Sequence, residues 1–174
     1  MLRLLDMLDR LSRVMAILSV ILIFGIAVLI IAEIVSRTFL DHSLSFAWEF
    51  SAYFFAVAIF CGAPYTLRTG GHVRVALFRG LLGPKGQWGM EILATLIGVG
   101  LTLFAANAMV AFAWRSYANG SVSPTVDATP LAIPQGAIAF GLVLLALQMI
   151  ARLLRLFLGE PPDDETAIES FGSE

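Results

Sequence analysis

VMAILSVILIFGIAVLIIAEI, residues 14–34, carries a single charged side chain, Glu33, and it stands next to last. At 1.5 Å of rise per residue, about 20 such residues in a helix cross the hydrocarbon core of a bilayer, roughly 30 Å thick. A run this long and this apolar reads as a transmembrane helix, not as the core helix of a soluble domain. Three more runs follow: about Phe46–Leu67, about Trp88–Trp114 and about Ile133–Leu158. The third begins and ends on tryptophan, as an aromatic belt at each interface requires. Pro134 falls in the first turn of the fourth, where its missing N–H costs nothing. The expected fold is an all-α integral membrane protein: four transmembrane helices plus short interfacial helices, with both termini cytoplasmic.

The composition agrees. Of 174 residues, 59% are hydrophobic and only 14% charged, and the mean hydropathy is +0.87. A soluble domain is about a quarter charged. The formal net charge of −2 conceals segregation, because six acids and no base fall in the last fifteen residues. No basic stripe is interleaved with aromatics, so no nucleic-acid partner is expected. The single cysteine, Cys61, lies inside an apolar run with no partner for a disulfide and no CxxC pattern; it reads as a small packing residue. No small-residue cleavage site follows the first apolar run, which is therefore expected to be retained.

The segments around the spans differ in kind. In residues 1–13, MLRLLDMLDRLSR, Leu4, Leu5, Leu8 and Leu11 share one helical face. Asp6–Arg10 and Asp9–Arg13 are spaced i,i+4 with the acid first, the favourable order. A short amphipathic interfacial helix is expected there, the alternative being a cytoplasmic extension of the first span. HVRVALFRGLL, between the second and third spans, is expected as another interfacial helix, ended by Gly83-Pro84. Ser116–Ala132 carries Pro124 and Pro130 and is expected to form an ordered extended loop. Residues 159–174 are acidic and expected to be disordered. Ala52 and Ala56, then Ala58 and Gly62, recur at four-residue spacing in the second span, which allows neighbouring helices to approach closely.

Orientation follows from the bases. Nine lie on the side of the N-terminus, the second loop and the end of the fourth span; only Arg37 and Arg115 lie on the other. Cytoplasmic loops carry the excess, which places both ends in the cytoplasm.

Ionisable groups within spans are costly unless paired or near an end. Glu33, Arg37, Glu49, Glu91 and Arg115 all fall near predicted span ends. Arg37 is expected to contact Glu33, Glu49 or both, either as a coupling-ion site or as a structural pair. Asn107 and Gln148 lie deeper; an amide such as Asn107 reads most simply as a bridge between helices. His42 and His72 fall on opposite sides of the membrane. That removes a pair of haem-ligating imidazoles and a two-histidine metal site. No serine has a histidine base within the bundle, and no phosphate-binding loop is present. Neither catalysis, nor a cofactor, nor a metal is expected. In Leu67-Arg68-Thr69-Gly70-Gly71-His72-Val73-Arg74-Val75 a helix ends at a glycine-permitted turn and a basic segment follows. Its arginines suit lipid phosphates or acidic groups on a partner.

These motifs together resemble a known family. Arg68…His72-Val73-Arg74-Val75 is similar to the R-x-x-x-H-[IV]-x-V signature of the small membrane subunit of TRAP transporters, the tripartite ATP-independent periplasmic transporters (DctQ family). Val35-Ser36-Arg37-Thr38-Phe39 resembles the end of that family's first helix. Trp48-Glu49 with Gly62 resembles its second, and Ser121 to Gly136, with Pro130 and Pro134-Gln135-Gly136, resembles the start of its fourth. The chain departs from the family where it has Ala76 after the histidine motif and a single acid, Glu49, beside Trp48. The resemblance implies a scaffold subunit in the bacterial inner membrane. It would work with a large multi-helix permease subunit and a periplasmic substrate-binding protein in sodium-coupled import of an organic acid, such as a C4-dicarboxylate or sialic acid. Candidate structural or partner-interface residues are Glu33, Arg37, Trp48, Glu49, Arg68, His72 and Arg74. The competing expectation is a self-sufficient proton-coupled transporter acting as a homo-oligomer, whose usual requirement is a carboxylate buried well inside a span.

Overall fold

The computed structural model describes residues 2–70 and 83–159. Four helices make up most of it: α1 (Leu2–Phe39), α2 (Ser45–Arg68), α3 (Pro84–Ala118) and α4 (Ala132–Leu158). All four are long and apolar enough to cross a membrane. The expected second interfacial helix with His72 and Arg74, and the acidic segment beyond Gly159, lie outside the described residues.

α1 is one unbroken helix of 38 residues, about 57 Å long at helical rise and well beyond the roughly 30 Å of a hydrocarbon core. The segment expected as a separate interfacial helix is, from Leu2 onward, continuous with the first span, which was the alternative. The physical reason is local and tertiary together. Leu11-Ser12-Arg13-Val14 contains neither glycine nor proline to turn the chain, and Asp9 and Ser12 hydrogen-bond to neighbouring helices.

The helices form an open layer in the order α1, α2, α4, α3. α1 packs on α2, α2 on α4 and α4 on α3, while α1 reaches α4 by a smaller contact. The inner helices α2 and α4 therefore have neighbours on two sides. The outer helices α1 and α3 expose large apolar side chains along most of their length, among them Phe24, Val28 and Phe39, and Leu101, Phe104 and Trp114.

The α2–α4 seam is built from small residues. Ala58 and Cys61 of α2 and Ala139 and Gly141 of α4 are buried. Pro64 sits inside α2 and so removes the N–H that would have bonded the Phe60 carbonyl. α4 meets that carbonyl with a glycine. A methyl group on Gly141 would lie 2.6 Å from the Phe60 oxygen and 2.7 Å from its carbon. The bare glycine lets a helix backbone cover the freed carbonyl, which lipid could not satisfy. Of the small residues expected to promote close approach, Gly62 meets Ser19 of α1 and Ala58 is buried, whereas Ala52 is exposed.

The loop after α3 folds back on itself instead of running extended. Val122 and Pro130 form an isolated antiparallel bridge. The Ser123 N–H donates to the Thr129 carbonyl at 2.9 Å and the Leu131 N–H to the Ser121 carbonyl at 3.0 Å.

Candidate functional site

Polar side chains gather at two opposite ends of this layer. The basic end holds Asp9, Arg68 and Arg155; the loop end holds Glu33, Glu49 and the connections 40–44 and 119–131.

At the loop end, Glu33 is buried on the last turns of α1. Its Oε1 accepts from Arg37 Nε at 3.1 Å and from Ser43 Oγ at 2.9 Å; its Oε2 accepts from the Leu44 N–H at 2.6 Å. Leu44 immediately precedes α2 and lacks a capping side chain of its own. Glu33 thus clips α1 to the start of α2. Ser36 adds to the clip, donating from Oγ to the His42 carbonyl at 2.8 Å. The expected contact of Arg37 with Glu33 forms; one with Glu49 does not. Glu49 instead accepts from the Tyr53 hydroxyl at 2.6 Å and from the Thr125 hydroxyl. Thr125 Oγ1 also lies 3.0 Å from Ser123 Oγ. Glu49 therefore fastens the loop after α3 onto α2, a role that the i,i+4 proximity of Arg37 and Glu33 leaves open to it. Trp48, one residue earlier, is 77% exposed. It borders an apolar cleft of about 380 Å³ between α1 and α2, lined also by Ile30, Ile34 and Ser51.

The basic end is a charged knot. Asp9 Oδ2 accepts from Arg68 Nε at 3.1 Å and from Arg155 Nη2 at 2.9 Å, and Oδ1 accepts from Gln148 Nε2 at 3.1 Å. Gln148 Nε2 also donates to Ser12 Oγ at 2.9 Å. Gln148 is 1% exposed and Arg155 4%. One carboxylate on α1 thus joins α2 and α4. Among the described residues, the expected i,i+4 pairs Asp6–Arg10 and Asp9–Arg13 are not made, and Arg155 Nη1 has no hydrogen-bond partner. Asp9 turns inward because α2 and α4 offer it two guanidinium groups and a buried amide.

Of the expected site residues, the structure brings Glu33 and Arg37 together with Trp48 nearby, sets Glu49 apart on the loop, and places Arg68 at the opposite end. His72 and Arg74 are outside the described residues. Among the described residues Asn107 bridges no helices: it is exposed on α3, seven residues before Trp114, with no hydrogen-bond partner. Glu33 and Glu49 are taken up by hydroxyl, backbone N–H and guanidinium donors, which makes them fasteners.

The family model for the DctQ component of the tripartite ATP-independent periplasmic transporters matches residues 26–159. The chain belongs to the DctQ family. No curated protein matches it. This DctQ chain is a multi-pass protein of the inner membrane and a component of a TRAP transporter. The matched stretch begins inside α1 and ends at Gly159. It takes in the whole loop end, together with Arg68, Gln148 and Arg155. Asp9 and Ser12 lie before it, so the knot at the basic end reaches beyond the matched residues.

Proposed function

We propose that this DctQ chain is the small scaffold subunit of a sodium-coupled importer of an organic acid, a C4-dicarboxylate, sialic acid or similar. Its partners in this reading are a large multi-helix permease subunit, which binds sodium and substrate, and a periplasmic binding protein, which delivers the substrate. The basic end faces the cytoplasm, because nine of the eleven lysines and arginines lie on that side.

The observation that carries the scaffold reading is the open layer itself. Two of four helices have a neighbour on one side only, and the polar side chains that make hydrogen bonds between elements are at the ends, where they lock the helices to one another. A rigid layer with bare apolar outer helices is suited to widening a larger membrane protein. Asn107 supports this, since an exposed amide inside a span gains from a helix of another subunit. The competing homo-oligomeric exporter asks for a carboxylate deep in a span, whereas Glu33 lies near the end of α1 and is engaged by Arg37, Ser43 and Leu44.

Affinity purification of the tagged chain from its native membranes tests the partnership. A large multi-span protein should co-purify at equal stoichiometry; recovery of the chain only with copies of itself would contradict the proposal. Val126, 92% exposed on the loop after α3, tests the orientation. A Val126→Cys variant should label with an impermeant thiol reagent from the periplasmic side.

A further inference from the structure

We propose that the cavity at the basic end of α1 and α2 binds the phosphate headgroup of an anionic membrane phospholipid. The cavity measures about 340 Å³ and is lined by Asp6, Asp9, Arg10, Arg13, Arg68 and Thr69, with Tyr65 at its wall. The knot described above determines its charge. Asp9 is drawn toward Arg68 and Arg155, so it is not available to Arg13, and Asp6 does not pair with Arg10. Two guanidinium groups on the cavity wall therefore make no ion pair with any described residue. They stand three residues apart on α1, hence on one helical face. Among the described residues, with Arg155 counted behind Asp9, four arginines face two aspartates, and Arg10 and Arg13 supply the positive charge that Asp9 does not take up. The planar guanidinium fork matches phosphate oxygens in a bidentate way, and basic pockets at the cytoplasmic ends of membrane helices suit anionic headgroups.

The position of the cavity points to a lipid over free phosphate. Arg13 is the last charged residue on α1 before Glu33. Immediately beyond it Val14, Ile17 and Leu18 are exposed. An anionic group seated at Arg10 and Arg13 therefore has a bare apolar helix surface directly adjoining it on the membrane side. A phospholipid carries its phosphate and its acyl chains in that same order. This site does not depend on the transported substrate or on the identity of the large subunit.

The test uses the full-length chain, with whatever subunits stay attached, in a neutral detergent. Phosphatidylglycerol, phosphatidylcholine and inorganic phosphate are added in parallel; native mass spectrometry reads retained lipid and a thermal melt reads stabilisation. The comparison is between the native chain, the double variant Arg10→Gln/Arg13→Gln, and Arg115→Gln, which removes an exposed cation at the loop end. Phosphatidylglycerol should be retained in preference to phosphatidylcholine. Each arginine near an anionic surface adds about fivefold, so retention should fall roughly tenfold or more in the double variant, with the Arg115 variant unchanged. Equal retention by the native chain and the double variant overturns the proposal. Equal stabilisation by inorganic phosphate at the same concentration assigns the cavity to a free anion and also overturns it. So does lipid retention that appears only once residues 160–174 are removed, because the cavity would then belong to the chain's own acidic segment.

Discussion

At both ends of the helix layer a carboxylate on α1 accepts several hydrogen bonds, but the donors come from different distances along the chain. Glu33 at the loop end is served by residues four, ten and eleven positions away. Asp9 at the basic end is served by residues 59, 139 and 146 positions away. The first arrangement shapes a helical hairpin that short connection length already makes antiparallel. The second decides which helices lie side by side, and it uses cations with little access to water. The ends should therefore respond differently to damage: losing Asp9 strands buried charge, while losing Glu33 releases Arg37 and Ser43, which reach solvent, and losing Arg37 leaves Glu33 still held by Ser43 and Leu44.

The largest effect should come from Asp9→Ala. It leaves Arg155 buried without its counter-charge, a change that costs about 3–5 kcal/mol when one partner of a buried pair is removed. The melting temperature of the purified complex should fall sharply, and adding Arg155→Met should recover part of the loss. A double-mutant cycle reads the coupling. A shift no larger than that of Glu33→Ala would erase the contrast between the two ends. Gly141→Ala comes next. Its new methyl would press on the Phe60 backbone at 2.6 Å, and overpacking of this kind costs about 1–3 kcal/mol. Gly136→Ala, on the same helix with open space at that position, is the control and should leave the melt unchanged or raise it, since alanine favours helix over glycine.

How far the sequence could be read follows the same division. The four spans were legible because length and apolarity alone define them, and the pairing of Arg37 with Glu33 was legible because i,i+4 neighbours meet on any helix. The order of helices in the layer was not, because nothing in hydropathy says that α4 and not α3 lies beside α2. Spacing pairs Asp9 with Arg13, and the fold does not, for a related reason. The local rule names the nearest partner along the chain, and the tertiary structure supplied two arginines and a buried glutamine instead. Pro64 and Gly141 stand 77 positions apart and explain each other only once the Phe60 carbonyl between them is seen.

Smaller effects sharpen the loop-end half of the comparison. Glu49→Gln removes the charge that holds Thr125 and Tyr53. Limited proteolysis between Gly120 and Leu131 should speed up in intact outer-membrane-stripped cells, with little change in the melt of the complex. Proteolysis as slow as in the native chain would show that the bridge of Val122 to Pro130 holds the loop alone. The smallest effect should come from Arg37→Ala, because the side chain is largely exposed and exposed ion pairs contribute little. Its effect and that of Glu49→Ala should add without coupling, since the two side chains do not meet. A clear coupling energy would restore a direct link between them.

The most direct measurement is transport by the chain in isolation. The purified DctQ chain is placed in liposomes with an inward sodium gradient and a panel of labelled organic acids, in parallel with liposomes that also hold the large membrane subunit and receive the binding protein. The scaffold account predicts no saturable uptake above empty vesicles from the chain alone, and sodium-dependent uptake when all three components are present. Saturable uptake by the chain alone would contradict it.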